Sequence, residues 1–175
     1  MGVDAEKAGT GKERLDRPKL VRLAAIVVPL VVADQLTKAW ILASLRLYDG
    51  FAVIPGFFNI IHVRNTGGAF SVFSDSHQTL RVAIFVGGAT LALLLVLYLY
   101  KQTPLAARWF AASLALVMAG AVGNLIDRLR FGNVVDFLDF HVGSWHWPAF
   151  NVADMCITVG VAILAVHFLF KKEPI

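Results

Sequence analysis

Three stretches of the chain read directly as membrane spans. Val82 to Tyr100 is 19 residues without a charge, Trp109 to Ile126 is another 18, and Met155 to Phe170 adds 16, with Val152 and Ala153 extending the last at its start. A helix crosses the hydrocarbon core with about 20 such residues. A fourth stretch, from about Leu20 to Leu45, is apolar except where Asp34 and Lys38 interrupt it. The pattern predicts four spans, at about 20–45, 81–100, 107–128 and 152–170, in one membrane domain covering residues 19–172. Residues 1–18 are polar and charged, and are expected to form a mobile cytoplasmic tail.

The first span has a rival reading as a cleavable signal peptide, since basic residues precede an apolar run that ends Val31-Val32-Ala33. Against it, Asp34 and Lys38 stand at i and i+4, where a helix brings them together. The apolar pattern also resumes beyond them in Ala39-Trp40-Ile41-Leu42-Ala43. A retained helix is expected. Residues 46–80 and 129–151 then lie outside the membrane on the same side. In the first of these, Phe51-Ala52-Val53-Ile54 and Phe57 to Val63 are aromatic and β-branched runs separated by Pro55-Gly56, a strand–turn–strand signal. In the second, Trp145, Trp147 and Phe150 suit the headgroup level. The expected fold is an all-α membrane protein: four transmembrane helices with a small extracytoplasmic β-sheet between the first and second.

Composition agrees with the pattern. Of 175 residues, 58% are hydrophobic and 16% charged, against about 45–50% and 25% in soluble domains. A disordered chain and a collagen-like repeat are excluded, and a single cysteine, Cys156, excludes a disulfide framework. The net charge of +4 is explained by placement. Lys7, Lys12, Arg14, Arg17, Lys19, Arg22, Lys101, Arg108, Lys171 and Lys172 fall on one side of the predicted membrane. Arg46, Arg64, Arg81, Arg128 and Arg130 fall on the other. Basic residues gather in the cytoplasm, so both termini are expected there, and no nucleic acid is needed to account for the charge.

Ionisable groups within or at the rim of a bilayer call for partners or a function. Asp34 and Lys38 form either a neutralised structural pair or part of a site. Asn124, Asp127 and Arg128 share one helix face behind Gly120 and Gly123, and fit a structural network or a substrate clamp equally well. The most informative pair is Asp136, in Val134-Val135-Asp136-Phe137, and Asp154, in Phe150-Asn151-Val152-Ala153-Asp154. A short connection between antiparallel spans brings both to one membrane level. Two close carboxylates in a medium of low dielectric share a proton, so one can act as base toward water while the other polarises a carbonyl. Each also has a plainer reading. Asp154 three residues after Asn151 resembles a capping box, and Asp136 could be satisfied by loop amides. Asp139, three residues beyond Asp136, could substitute for either member.

Asp34-Gln35-Leu36-Thr37-Lys38, Asn65-Thr66-Gly67-Gly68-Ala69-Phe70, Gly123-Asn124-Leu125-Ile126-Asp127-Arg128, Val134-Val135-Asp136-Phe137 and Phe150-Asn151-Val152-Ala153-Asp154 resemble, in order, the signature blocks of the lipoprotein signal peptidase family, signal peptidase II. The resemblance implies a bacterial inner-membrane aspartyl endopeptidase that cuts a prolipoprotein just before its diacylglyceryl-modified cysteine. It implies Asp136 and Asp154 as the catalytic pair. Asn124, Arg128 and Asn151 would line or hold the site, with Asp34, Lys38, Asn65, Gly67, Asp127 and Ala153 supporting it. It further implies no metal or organic cofactor, contact with membrane lipids, inhibition by globomycin, a site near the periplasmic face and a monomeric enzyme.

Other chemistries fit less well. Thr37 and Ser44 are poorly placed for activation by Lys38, and His62, His77, His141, His146 and His167 lack His-Glu-x-x-His spacing. A proton-coupled transporter would need broken helices in two corresponding halves, and a scaffold leaves the two aspartates unexplained.

Overall fold

The computed structural model describes residues 16–66 and 78–170. Most of the polar tail, together with Gly67, lies outside these residues. Four helices are long and apolar enough to cross a membrane: α1 (Arg17–Ser44), α2 (Gln78–Gln102), α3 (Arg108–Phe131) and α4 (Val152–Phe170). α1 begins three residues before the predicted start. Asp16 caps it by accepting from the Lys19 amide at 3.1 Å, and Pro18 sits in the first turn, where its missing N–H is no loss.

α3 is the hub, packed against α1, α2 and α4. Half of its most apolar 18-residue window is buried, and none of that in α2, so α2 presents its side chains to lipid. Close approach to α3 depends on two glycines. A Cβ on Gly120 would collide with the Ala153 carbonyl of α4, and one on Gly123 would lie 2.5 Å from Asp34 Oδ2 of α1.

The two segments outside the bundle meet in one antiparallel sheet of order β1-β2-β3-β4, with β1 (Gly50–Ile54), β2 (Phe58–Asn65), β3 (Val134–Val142) and β4 (Trp145–His146). The sequence pattern reveals β1 and β2. β3 escaped it because its first four residues are all buried, so the strand reads as an apolar run without alternation. The sheet therefore draws on both connections, α1–α2 and α3–α4. Register places Val134 opposite Asn65, Asp136 opposite Val63 and Asp139 opposite Asn59.

Two apolar clusters hold the ends. Ile41, Val135 and Phe137 pack beneath the sheet, while Tyr100, Phe110, Ala111, Leu114 and Ala115 pack at the opposite end. There, Lys19 Nζ donates to the Lys101 carbonyl (3.0 Å), Tyr100 Oη to the Lys19 carbonyl (3.0 Å) and an Arg22 nitrogen to the Leu105 carbonyl (2.9 Å). The bonds to Lys101 and Leu105 satisfy carbonyls that the end of α2 and the turn after it would otherwise leave exposed.

Candidate active site

Asp136 lies on β3 and Asp154 in the first turn of α4. Asn151 joins them. Its side-chain amide donates to Asp136 Oδ1 at 2.6 Å. Its side-chain oxygen accepts from the Asp154 amide at 2.9 Å, and its own amide donates to Asp154 Oδ2 at 3.3 Å. The capping box is thus real, and it is the device that aims the Asp154 carboxylate. Asn65 Nδ2 donates to the second oxygen of Asp136 (3.0 Å), and Asn124 Nδ2 to Asp154 Oδ1 (2.7 Å). The oxygen of Asn124 accepts from both Lys38 Nζ (3.1 Å) and Asn151 Nδ2 (3.2 Å).

Beneath this layer lies a buried ionic cluster. Lys38 Nζ stands 2.9 Å from Asp34 Oδ2 and 3.0 Å from Asp127 Oδ2, and all three side chains are at most 2% exposed. Asp34 and Lys38 form the neutralised pair, and each carboxylate of the cluster also holds a backbone amide. Asp34 Oδ1 accepts from the amide of Ala153, the residue before Asp154 (3.0 Å). Asp127 Oδ2 accepts from the amide of Val135, the residue before Asp136 (3.0 Å). One lysine thus neutralises two carboxylates, and each carboxylate fixes the backbone immediately ahead of one aspartate. Charge-assisted bonds of this kind are about twice as strong as neutral ones.

Sequence reasoning missed Gln35. Its Nε2 donates to Asp34 Oδ2 (3.1 Å), the Gly123 carbonyl (3.3 Å) and Asp127 Oδ1 (3.1 Å), tying α1 to α3. Its only signal was its place between Asp34 and Lys38 in one motif. His62 and Arg64 were missed as well. Arg64 Nε donates to His62 Nε2 at 3.2 Å, so that nitrogen carries no proton, and His62 Nδ1 is the donor to the Leu45 carbonyl at 3.0 Å. Arg64 also donates to Asn133 Oδ1 (3.0 Å) and lies over the Phe131 ring, 5.0 Å from its centroid. It thereby ties β2 to the start of β3.

Arg128 donates to the Asn124 carbonyl at 3.2 Å and lies in the field of the Asp154, Asp136 and Asp127 carboxylates. Asp136 is 2% exposed. Burial, and then the nearby charge of Asp154, push its pKa up to about 6, against the opposing pull of hydrogen bonds from Asn65 and Asn151. Asp139 does not join the pair. It accepts from Asn59 Nδ2 and pairs with His146 Nδ1, both at 2.8 Å.

Fold and site together define a class: a multi-pass membrane protein with two neighbouring carboxylates where its helices meet an extramembrane sheet. Comparison with known proteins makes this specific. The sequence model described as signal peptidase (SPase) II matches residues 26–170. A lipoprotein signal peptidase of Desulforapulum autotrophicum is 46% identical over 155 residues, covering 89% of this chain and 96% of that protein. One from Geobacter sulfurreducens is 44% identical, covering 85% and 92%. A solved bacterial membrane enzyme superposes with a TM-score of 0.77 at 31% identity, over 93% of this chain and 98% of the other. The chain belongs to the signal peptidase II family, membrane aspartyl peptidases that cleave signal peptides from prolipoproteins.

Proposed function

We propose that Asp136 and Asp154 are the catalytic pair with which this chain cuts a diacylglyceryl-modified prolipoprotein immediately before the lipidated cysteine. The observation that carries the reading is Asn151, which hydrogen-bonds both carboxylates at once. Asp136, with its raised pKa, holds the shared proton and directs it at the oxygen of the scissile carbonyl. Asp154 acts as the base toward water: it takes a proton, and the resulting hydroxyl oxygen bonds to the carbonyl carbon. In the tetrahedral intermediate Asp136 has given up its proton and Asp154 has gained one. Asp154 then protonates the amide nitrogen, Asp136 recovers a proton from a hydroxyl of the intermediate, and the C–N bond breaks. Asn65, Asn124 and Asn151 keep the carboxylates in place through this exchange, and Arg128 lends positive charge beside them. Gly67, which the family resemblance adds to the supporting residues, lies outside the described residues.

The enzyme works as a monomer in the bacterial inner membrane, with both termini in the cytoplasm and the pair near the periplasmic face. The distribution of basic residues supports this orientation. Membrane lipids surround the spans, and substrate arrives by lateral diffusion. Its acyl chains contribute about 0.8 kcal/mol per buried CH₂, so recognition rests on lipid more than on peptide sequence. Globomycin blocks the site. The test is cleavage of a purified precursor, with and without its diacylglyceryl group, by wild type and Asp136→Asn. Cleavage confined to lipidated precursor and wild type is expected. Near wild-type turnover by Asp136→Asn, with the protein folded and inserted, would overturn the assignment.

A further inference from the structure

At the end of the bundle away from the sheet, α3, the turn before it and α4 line an open groove of about 710 Å³. Trp109 and Phe110 of α3 and Val159, Ala162, Val166 and Phe170 of α4 form its walls. Trp109 is 78% exposed and Phe170 81%, so the groove opens sideways toward lipid. His167 also lines it, with its ring packed 5.0 Å from that of Phe110.

Arg108, the first residue of α3, is the only Lys, Arg, Asp or Glu that lines the groove. It differs from two of its basic neighbours. Lys19 and Arg22 are engaged with the Lys101 and Leu105 carbonyls, whereas Arg108 has no side-chain hydrogen bond or ion pair among the described residues. An apolar trough with an uncommitted guanidinium at one rim complements an amphiphile with an acyl tail and an anionic head. The charge also selects among occupants. A signal-peptide helix brings a basic segment to this end of the membrane, where it would meet Arg17, Lys19, Arg22, Lys101 and Arg108 as like charges. An anionic phospholipid meets them as counter-charges.

We propose that the α3–α4 groove is a binding site for an anionic phospholipid of the leaflet opposite the sheet, with one acyl chain between the helices and the phosphate against Arg108. Basic pockets between membrane helices are suited to such headgroups. The site lies at the far end of the bundle from Asp136 and Asp154 and does not depend on their assignment.

Trp109 lines the groove and reports on it. With Trp40, Trp145 and Trp147 replaced by Phe, its emission is followed in phosphatidylcholine vesicles carrying increasing dibrominated phosphatidylglycerol or, in parallel, dibrominated phosphatidylcholine. Saturable quenching is expected, with half-saturation at a roughly fivefold lower mole fraction for phosphatidylglycerol, the worth of one basic side chain at an anionic surface. Arg108→Gln should erase that preference while leaving quenching by either lipid, and Ala162→Phe should fill the trough and abolish saturation. Equal half-saturation for the two lipids in the Arg108 protein would overturn the proposal. So would a preference that survives Arg108→Gln, or displacement of the lipid by an equimolar lipoprotein signal peptide. If the triple Trp variant does not fold, mass spectrometry of delipidated wild type decides the matter. Retained phosphatidylglycerol that Ala162→Phe loses supports the site, and equal retention by both proteins refutes it.

Discussion

Asp136 and Asp139 stand three residues apart on β3, are 2% and 5% exposed, and are driven in opposite directions. On one face of the strand, burial and the charge of Asp154 raise Asp136 to about 6. On the other, burial again pushes Asp139 up, but hydrogen bonds from His146 and Asn59 outweigh it and hold the carboxyl below its usual range. An odd spacing on a strand sends side chains to opposite faces, so one segment supplies a carboxyl that readily keeps its proton and another that readily loses it. Burial pushes both carboxyls up, and the neighbours decide whether it prevails: beside Asp136 the charge of Asp154 adds to it, and beside Asp139 an imidazole and an amide overcome it.

Removing the carboxylate beside Asp136 has the largest effect. Asp154→Asn should lower cleavage by at least about 10³-fold, within the range for losing a general acid–base group. It should also move the Asp136 titration down from about 6, as followed by carboxyl infrared absorption, and leave Asp139 unchanged. Next in size is Lys38→Met. It leaves the buried carboxylates of Asp34 and Asp127 without their cation, and breaking such an arrangement costs about 3–5 kcal/mol, measurable by thermal unfolding in detergent. The double variant Lys38→Met/Asp127→Asn should recover part of the loss, since it removes one of the uncompensated charges and keeps a side-chain oxygen able to accept from the Val135 amide. The Asp139 face should keep its His146 pairing in both variants.

How far the sequence anticipated this frame depends on the kind of signal. The spans were legible because hydropathy over 20 residues is a local property, and β1–β2 because Pro55-Gly56 separates two β-rich runs. The Asn151–Asp154 capping box is also local, spanning four residues. β3 was not legible, since burial on both faces removes the alternation that marks a strand. Gln35, with partners at Gly123 and Asp127, and Arg64, with a partner at Asn133, leave no local trace. Their roles exist only once α3 has packed against α1 and β2 has paired with β3. The merging of Asp34 and Asp127 into one device has the same origin: it depends on which amides, Ala153 and Val135, the fold delivers to them.

pH sharpens the contrast between the faces, with opposite signs. The raised Asp136 pKa means that the folded protein holds that proton more tightly than the unfolded chain. Its contribution to stability is therefore fully present below the ordinary carboxylate range and is lost as pH rises through about 6. Asp139 is depressed, so its contribution is present above the ordinary carboxylate range and is lost as pH falls below it. Unfolding midpoints across pH 3 to 8, on the order of the span these carboxylates cover, should lose the first slope in Asp136→Asn and the second in Asp139→Asn. Activity follows the pair. If hydrolysis runs as proposed, on one proton shared between Asp136 and Asp154, kcat/KM should fall as pH rises through the free-enzyme value near 6.

The smallest effect belongs to Asp139→Asn, and its smallness is the informative part. The change removes a charge that His146 and Asn59 face directly at 2.8 Å, but it keeps an oxygen able to accept from one of them. His146 is 51% exposed, so solvent screens the lost ion pair, which is worth at most about 1 kcal/mol at a surface site. Cleavage should stay within about threefold of wild type, well under the 10²-fold lower bound for a lost acid–base group. A loss comparable to that of Asp136→Asn would mean that proximity along β3, rather than the face of the strand, selects the catalytic carboxylate.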